Sequence, residues 1–128
     1  MTRLILVALG GAIGASARYG LGLAALKAVP GAAWPWATFV ANVAGGLLMG
    51  ALAGWLALKG GAQQEAIRLF AAVGVLGGFT TFSAFSLETV LMIERRQWAV
   101  AATYVGLSVA LSIVALFAGL ILVRRAFA

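Results

Sequence analysis

Cysteine and histidine are both missing from this 128-residue chain. Without cysteine there is no disulfide framework, no thiolate nucleophile and no cysteine metal site. Without histidine, hydrolytic triads and imidazole metal centres are excluded. Acids are scarce: only Glu65, Glu88 and Glu94 occur, and charged residues make up 9% of the chain. Soluble domains carry about 25% charge. Proline appears twice, at Pro30 and Pro35.

What is there is apolar. Hydrophobic residues alone reach 64%, and 17 glycines come on top of that. In soluble domains apolar residues and glycine together reach roughly 45–50%. A globule of 13.1 kDa has too little interior to hide so much apolar surface. A soluble monomer, a disordered tail and a collagen-like fibre are therefore excluded, and lipid is the fitting solvent. The net charge of +6 comes from nine basic residues, none in a run longer than the pairs Arg95-Arg96 and Arg124-Arg125. Scattered charge in an apolar chain faces lipid head groups rather than nucleic acid.

A membrane-spanning helix needs about 20 mainly apolar residues. Four stretches qualify within a single transmembrane domain: about 4–26, 36–58, 68–93 and 98–123. Pro30, Gly31 and Pro35 punctuate the first connection, Gly60 and Gly61 the second. Trp34, Trp36 and Trp98 fall at expected interfaces, where indole rings prefer to sit. Arg3 ahead of an apolar run ending in Ala15-Ser16-Ala17 has the look of a signal peptide. Three further spans, and Arg18-Tyr19 directly after that run, argue against it.

Four spans put both ends of the chain on one side. Arg3, Lys59, Arg68, Arg124 and Arg125 belong to that side, and Lys27, Arg95 and Arg96 to the other, with Arg18 unassigned. Orientation follows the Lys/Arg excess in short loops, and this excess is small, so insertion in both orientations is permitted. Transport paths are often built at the interface of inverted repeats. No internal repeat is present, and two copies in opposite orientation supply the same symmetry. Gly46, Gly50 and Gly54 recur every four residues, as do Gly10 and Gly14. This spacing lets helix backbones approach closely in lipid, and packing within the chain is its simplest use.

The third span carries Gly77-Gly78-Phe79-Thr80-Thr81-Phe82-Ser83-Ala84-Phe85-Ser86 near its midpoint. Paired glycines weaken a helix, and Thr80, Thr81 and Ser83 can take over freed backbone groups. Non-helical backbone at this depth is tolerated only inside protein or beside a wet cavity, and its carbonyls can coordinate a cation. Phe82 and Phe85, three apart, share one helical face. Two such rings usually pack a core. Their positive edges can also attract an anion without a full charge.

These residues, with Gly10-Gly11-Ala12-Ile13-Gly14-Ala15, Arg18-Tyr19 and the segment Thr38-Phe39-Val40-Ala41-Asn42, resemble the Fluc (CrcB) fluoride channels over nearly the whole chain. The resemblance implies an all-α integral membrane protein of four helices with a broken third helix, assembled as an antiparallel dual-topology homodimer. It implies passive efflux of fluoride across the cytoplasmic (inner) membrane through two pores per dimer, and no enzymatic activity. A structural sodium ion at the dimer centre falls to the backbone carbonyls of Gly77 and Thr80. Phe82, Phe85 and Asn42 match pore residues, and Arg18 a vestibule residue. Ser83, Tyr104, Ser108 and Ser112 are candidates for a polar ion track, with Thr38 and Glu88 less firmly matched. Ala37 and the pair Gly45-Gly46 depart from the family's usual residues around Asn42 and loosen the track assignments.

Each residue also has a plainer reading. The amide of Asn42 can bond a neighbouring helix, and Arg18 can snorkel to the interface. Ser108 and Ser112 can bond back to carbonyls four residues earlier. An acid within a span is a functional candidate. A carboxylate beside an anion path repels the anion, however, so Glu88 reads as a structural hydrogen-bonding or vestibule residue. The main functional alternative is a proton-coupled exporter of the small multidrug resistance type. Such exporters rely on an acid in the first span, and this first span has none. No glycine-rich phosphate loop ending in Lys-Ser or Lys-Thr is present to bind ATP.

Overall fold

The structure is a computed structural model that describes all residues, 1–128. It is helical throughout: α1 (Thr2–Ala28), α2 (Trp36–Leu58), α3 (Gln63–Ile67), a π-helical stretch (Arg68–Leu76), α4 (Gly77–Phe79), α5 (Phe82–Glu94) and α6 (Trp98–Phe127). Four helical passes are long and apolar enough to cross a membrane; the third runs over Gln63–Glu94 and includes the short elements. The shortest pass, α2, has 23 residues and reaches about 35 Å at about 1.5 Å per residue, which exceeds the ~30 Å apolar layer.

The helices run past the apolar stretches at their ends. The third pass starts at Gln63, because Gln63, Gln64 and Glu65 continue the helix into the interface, where Glu65 meets Arg68 at 3.4 Å. The last pass continues to Phe127 through Arg124 and Arg125, cations that favour a helix C-terminus. Between α5 and α6 only three residues turn the chain. Arg96 takes φ +60°, and the N–H groups of Arg96 and Gln97 donate to the carbonyls of Ile93 and Met92, closing the helix end.

Glycine decides which helices pair. A Cβ at Gly10 would lie 2.9 Å from the Gly74 Cα, and one at Gly78 would lie 2.7 Å from the Gly11 carbonyl. The first pass therefore lies directly on the first half of the third. Gly46, Gly50 and Gly54 of α2 face the carbonyls of Ser112, Leu116 and Leu120 of α6, the two ladders stepping together every four residues. The small-residue spacing thus serves packing within the chain. Only 15 of 128 residues are buried, and large apolar side chains such as Leu4, Ile13, Leu48, Ile113 and Phe117 lie exposed on the outside. That surface suits lipid, where each helix satisfies its own backbone.

Candidate functional site

The third pass is interrupted between α4 and α5. Thr80 (ψ 157°) and Thr81 (φ −152°, ψ 124°) are extended, and the helix restarts at Phe82. Every freed backbone group there needs a partner. The Thr80 hydroxyl donates back to the Leu76 carbonyl at 2.8 Å. The Thr81 hydroxyl accepts from the Ala84 N–H at 3.1 Å and so caps α5. Arg18 Nε donates to the Gly78 carbonyl at 3.3 Å. Asn42 Nδ2 donates to the Thr81 carbonyl at 3.0 Å, and the Thr81 N–H donates to Asn42 Oδ1 at 2.8 Å. The Thr80 carbonyl accepts no backbone hydrogen bond. The Gly77 carbonyl has lost its usual partner four residues on, because the Thr81 N–H has turned to Asn42.

Beside the interruption lies a cleft of about 340 Å³, lined by Asn42, Thr80, Thr81, Phe82, Phe85, Ser108 and Ser112 together with Gly45, Gly46 and apolar residues of α2 and α6. Phe82 and Phe85 stand with ring centroids 5.7 Å apart at 41°. Their environments differ: Phe82 is 78% exposed and Phe85 8%. The Ser108 hydroxyl is buried and has no hydrogen-bond partner, so it does not bond back along its helix.

A second cavity, of about 230 Å³, lies under the connection between α1 and α2, with Trp34, Trp36, Thr38 and Glu88 in its wall. A cluster around Glu88 joins a wall residue of each cavity. Glu88 Oε1 accepts from the Thr38 hydroxyl and Oε2 from the Tyr104 hydroxyl, both at 2.7 Å. Tyr104 is fully buried and packs its ring against Phe85 at 5.2 Å. Trp34 meets Tyr104 edge-on, also at 5.2 Å.

The structure therefore brings Asn42, Phe82, Phe85, Thr80, Ser108 and Ser112 to one cleft. Tyr104 and Thr38 belong instead to the Glu88 cluster. Ser83 is exposed outside the cleft, 3.4 Å from the Thr81 hydroxyl. Arg18 donates to the Gly78 carbonyl of α4, just ahead of the interruption. Thr81 carries more of the site than residue reading assigned to it. Its signal was the Thr placed just before the apolar run from Phe82, a helix-capping position. Trp34, a wall of the second cavity, gave only an interfacial signal.

No group of three or more His, Cys, Asp or Glu side chains comes together to hold a metal ion. At the interruption the Gly77 and Thr80 carbonyls are left without a backbone partner. Four spanning passes, one of them opened near its middle beside a mostly apolar cleft on which a few polar side chains converge, define a multi-pass membrane protein. The family model described as "CrcB-like protein, Camphor Resistance (CrcB)" matches residues 5–120, and the chain belongs to that family. A protein of Caulobacter sp. (strain K31) named "Fluoride-specific ion channel FluC" is 61% identical over 127 residues, covering 99% of this chain and 98% of its own. A protein of the same name from Phenylobacterium zucineum (strain HLK1) is 60% identical with full coverage of both chains. Another, from Caulobacter vibrioides (strain NA1000 / CB15N), is 56% identical, again over both full lengths. Nothing in these names supports the exporter alternative.

Proposed function

We propose that the protein is a fluoride-selective channel that lets fluoride leave the cytoplasm passively through the inner membrane. The observation that carries this reading is the cleft in which Phe82, Phe85 and the unpartnered Ser108 hydroxyl converge beside the Asn42 amide, in a chain whose close relatives are named fluoride-specific ion channels. Fluoride is small and strongly hydrated, so a selective path replaces its water with close donors. The Ser108 hydroxyl is free to donate. Asn42 has a second N–H beyond the one given to Thr81. The rings offer polarised edges beside these donors. Ser112 continues the polar wall, and Arg18 adds positive charge near the interruption that concentrates anions.

Phe82 is too exposed for a finished pore wall in one chain alone. A second copy in the opposite orientation covers it, brings the two interruptions together on a two-fold axis in the membrane plane, and leaves one pore per chain. The near balance of basic residues between the two ends supports that arrangement. The freed carbonyls of Gly77 and Thr80 fit a sodium ion on the axis, two from each copy. Sodium is a hard cation that takes neutral oxygen ligands, and nothing in the chain competes for these two. When bound, the ion ties the two interruptions to each other.

Efflux from liposomes holding the purified protein, read with fluoride and then chloride electrodes, tests the function. Rapid fluoride loss without chloride loss is expected, needing no proton gradient and abolished in Phe82→Ile or Phe85→Ile. No fluoride efflux from well-folded protein overturns the channel reading.

A further inference from the structure

A helix continuous through residues 77–81 would pair the Gly77 carbonyl with the Thr81 N–H. Here Thr81 is held elsewhere. Its N–H goes to Asn42 Oδ1 at 2.8 Å and its carbonyl receives Asn42 Nδ2 at 3.0 Å. The side-chain amide thus pairs with both backbone groups of one residue, as a neighbouring peptide does in a sheet. The two threonines do not bridge the gap. Thr80 bonds back to the half before it, and Thr81 caps the half after it. Of the side chains from other helices, Arg18 and Asn42 hydrogen-bond to the interruption, and Arg18 reaches only Gly78. Aspartate at position 42 would keep the acceptor and lose the donor. Leucine would keep the shape and lose both.

We infer that Asn42 is a positioning residue that holds the third pass open at Thr80–Thr81. It occupies the N–H that would otherwise close on Gly77, and so leaves the Gly77 carbonyl, near that of Thr80, without a helical partner and open to a cation. Its influence on the ion path runs through the Thr81 backbone, in addition to any contact with the anion. In its link to conduction and sodium, the inference rests on the channel reading above. The paired amide itself does not.

The test uses the full chain in lipid, labelled at its six threonines with ¹⁵N and at the carbonyl with ¹³C. Three readouts are taken: the Thr81 backbone signals by NMR, the difference in melting temperature between sodium and N-methylglucamine media, and fluoride efflux. In Asn42→Leu the hydrogen-bonded Thr81 N–H signal is lost, the sodium-dependent stabilisation disappears, and efflux is lost. In Phe82→Ile efflux is lost while the Thr81 signals and the sodium dependence remain. In Asn42→Asp the Thr81 N–H signal stays and its carbonyl signal moves. An Asn42→Leu protein that loses efflux but keeps its Thr81 signals and its sodium dependence overturns the inference, since Asn42 then acts on the anion alone. If the native protein shows neither efflux nor sodium dependence, the channel reading fails, and unchanged Thr81 signals in Asn42→Leu still overturn the clamp. Should Asn42→Leu not fold, an unmoved Thr81 carbonyl in Asn42→Asp overturns it.

Discussion

Ser108 and Tyr104 sit one helical turn apart on α6 and have opposite fates. Both are buried, yet the Tyr104 hydroxyl is committed to Glu88 at 2.7 Å while the Ser108 hydroxyl has no partner. A buried hydroxyl without a partner costs stability, roughly 1–3 kcal/mol. Ser108→Ala is therefore expected to leave thermal stability in detergent unchanged or slightly higher. Efflux should fall by about tenfold, the worth of one lost hydrogen bond to an ion at ~1.5 kcal/mol. A drop in both would place the hydroxyl in a structural bond instead. Sequence showed that these two residues share a face. It did not show that Glu88, sixteen residues before Tyr104, takes one hydroxyl and leaves the other, because that depends on how α5 and α6 cross. The same limit applies to Phe82 and Phe85. Their spacing places them on one side of α5, while their exposures of 78% and 8% are set by what α2 and α6 cover.

At the scale of helices, the two glycine ladders make the pairing testable. A Cβ at Gly50 would run into the Leu116 carbonyl, and backbone cannot step aside. Gly106 faces open space within its helix. Gly50→Ala is expected to destabilise by roughly 1–3 kcal/mol through overpacking. Gly106→Ala should be neutral or stabilise by up to about 1 kcal/mol through helix propensity. Paired thermal unfolding curves in the same detergent separate them, and equal effects would refute the pairing of α2 with α6. The spans were legible because lipid demands long apolar runs, and glycine spacing pointed to close helix contact. The π-helical stretch Arg68–Leu76 was not legible. Its residues are apolar almost throughout, so no periodicity marks the change in winding. The start at Gln63 was hidden for the opposite reason: three polar residues read as a connection although the helix simply rises into the interface.

For the whole molecule, the chain's lack of cysteine makes its orientation easy to measure. Gly60 lies in the exposed connection between α2 and α3, on the side of both chain ends. In Gly60→Cys, a membrane-impermeant maleimide added to intact cells is expected to label about half the protein, the rest reacting only after lysis. Adding two arginines beside Gly60 should bias orientation towards placing that loop inside, and efflux should fall with the loss of opposed pairs. Labelling confined to one side in the native chain would overturn the proposed antiparallel dimer, and with it the proposed cation site shared between two copies.

The two extended residues at Thr80–Thr81 also have an electrical consequence. Cutting one helix into two creates two new helix ends a few residues apart. The end at α4 presents carbonyls and partial negative charge; the start of α5 presents N–H groups and partial positive charge. One interruption thus offers neighbouring attraction to a cation and to an anion from peptide dipoles alone. No proton is gained or lost by those peptide groups as pH changes. A site polarised by its main chain keeps its sign in acid and in alkali, which suits a protein exposed to whatever pH lies outside the membrane.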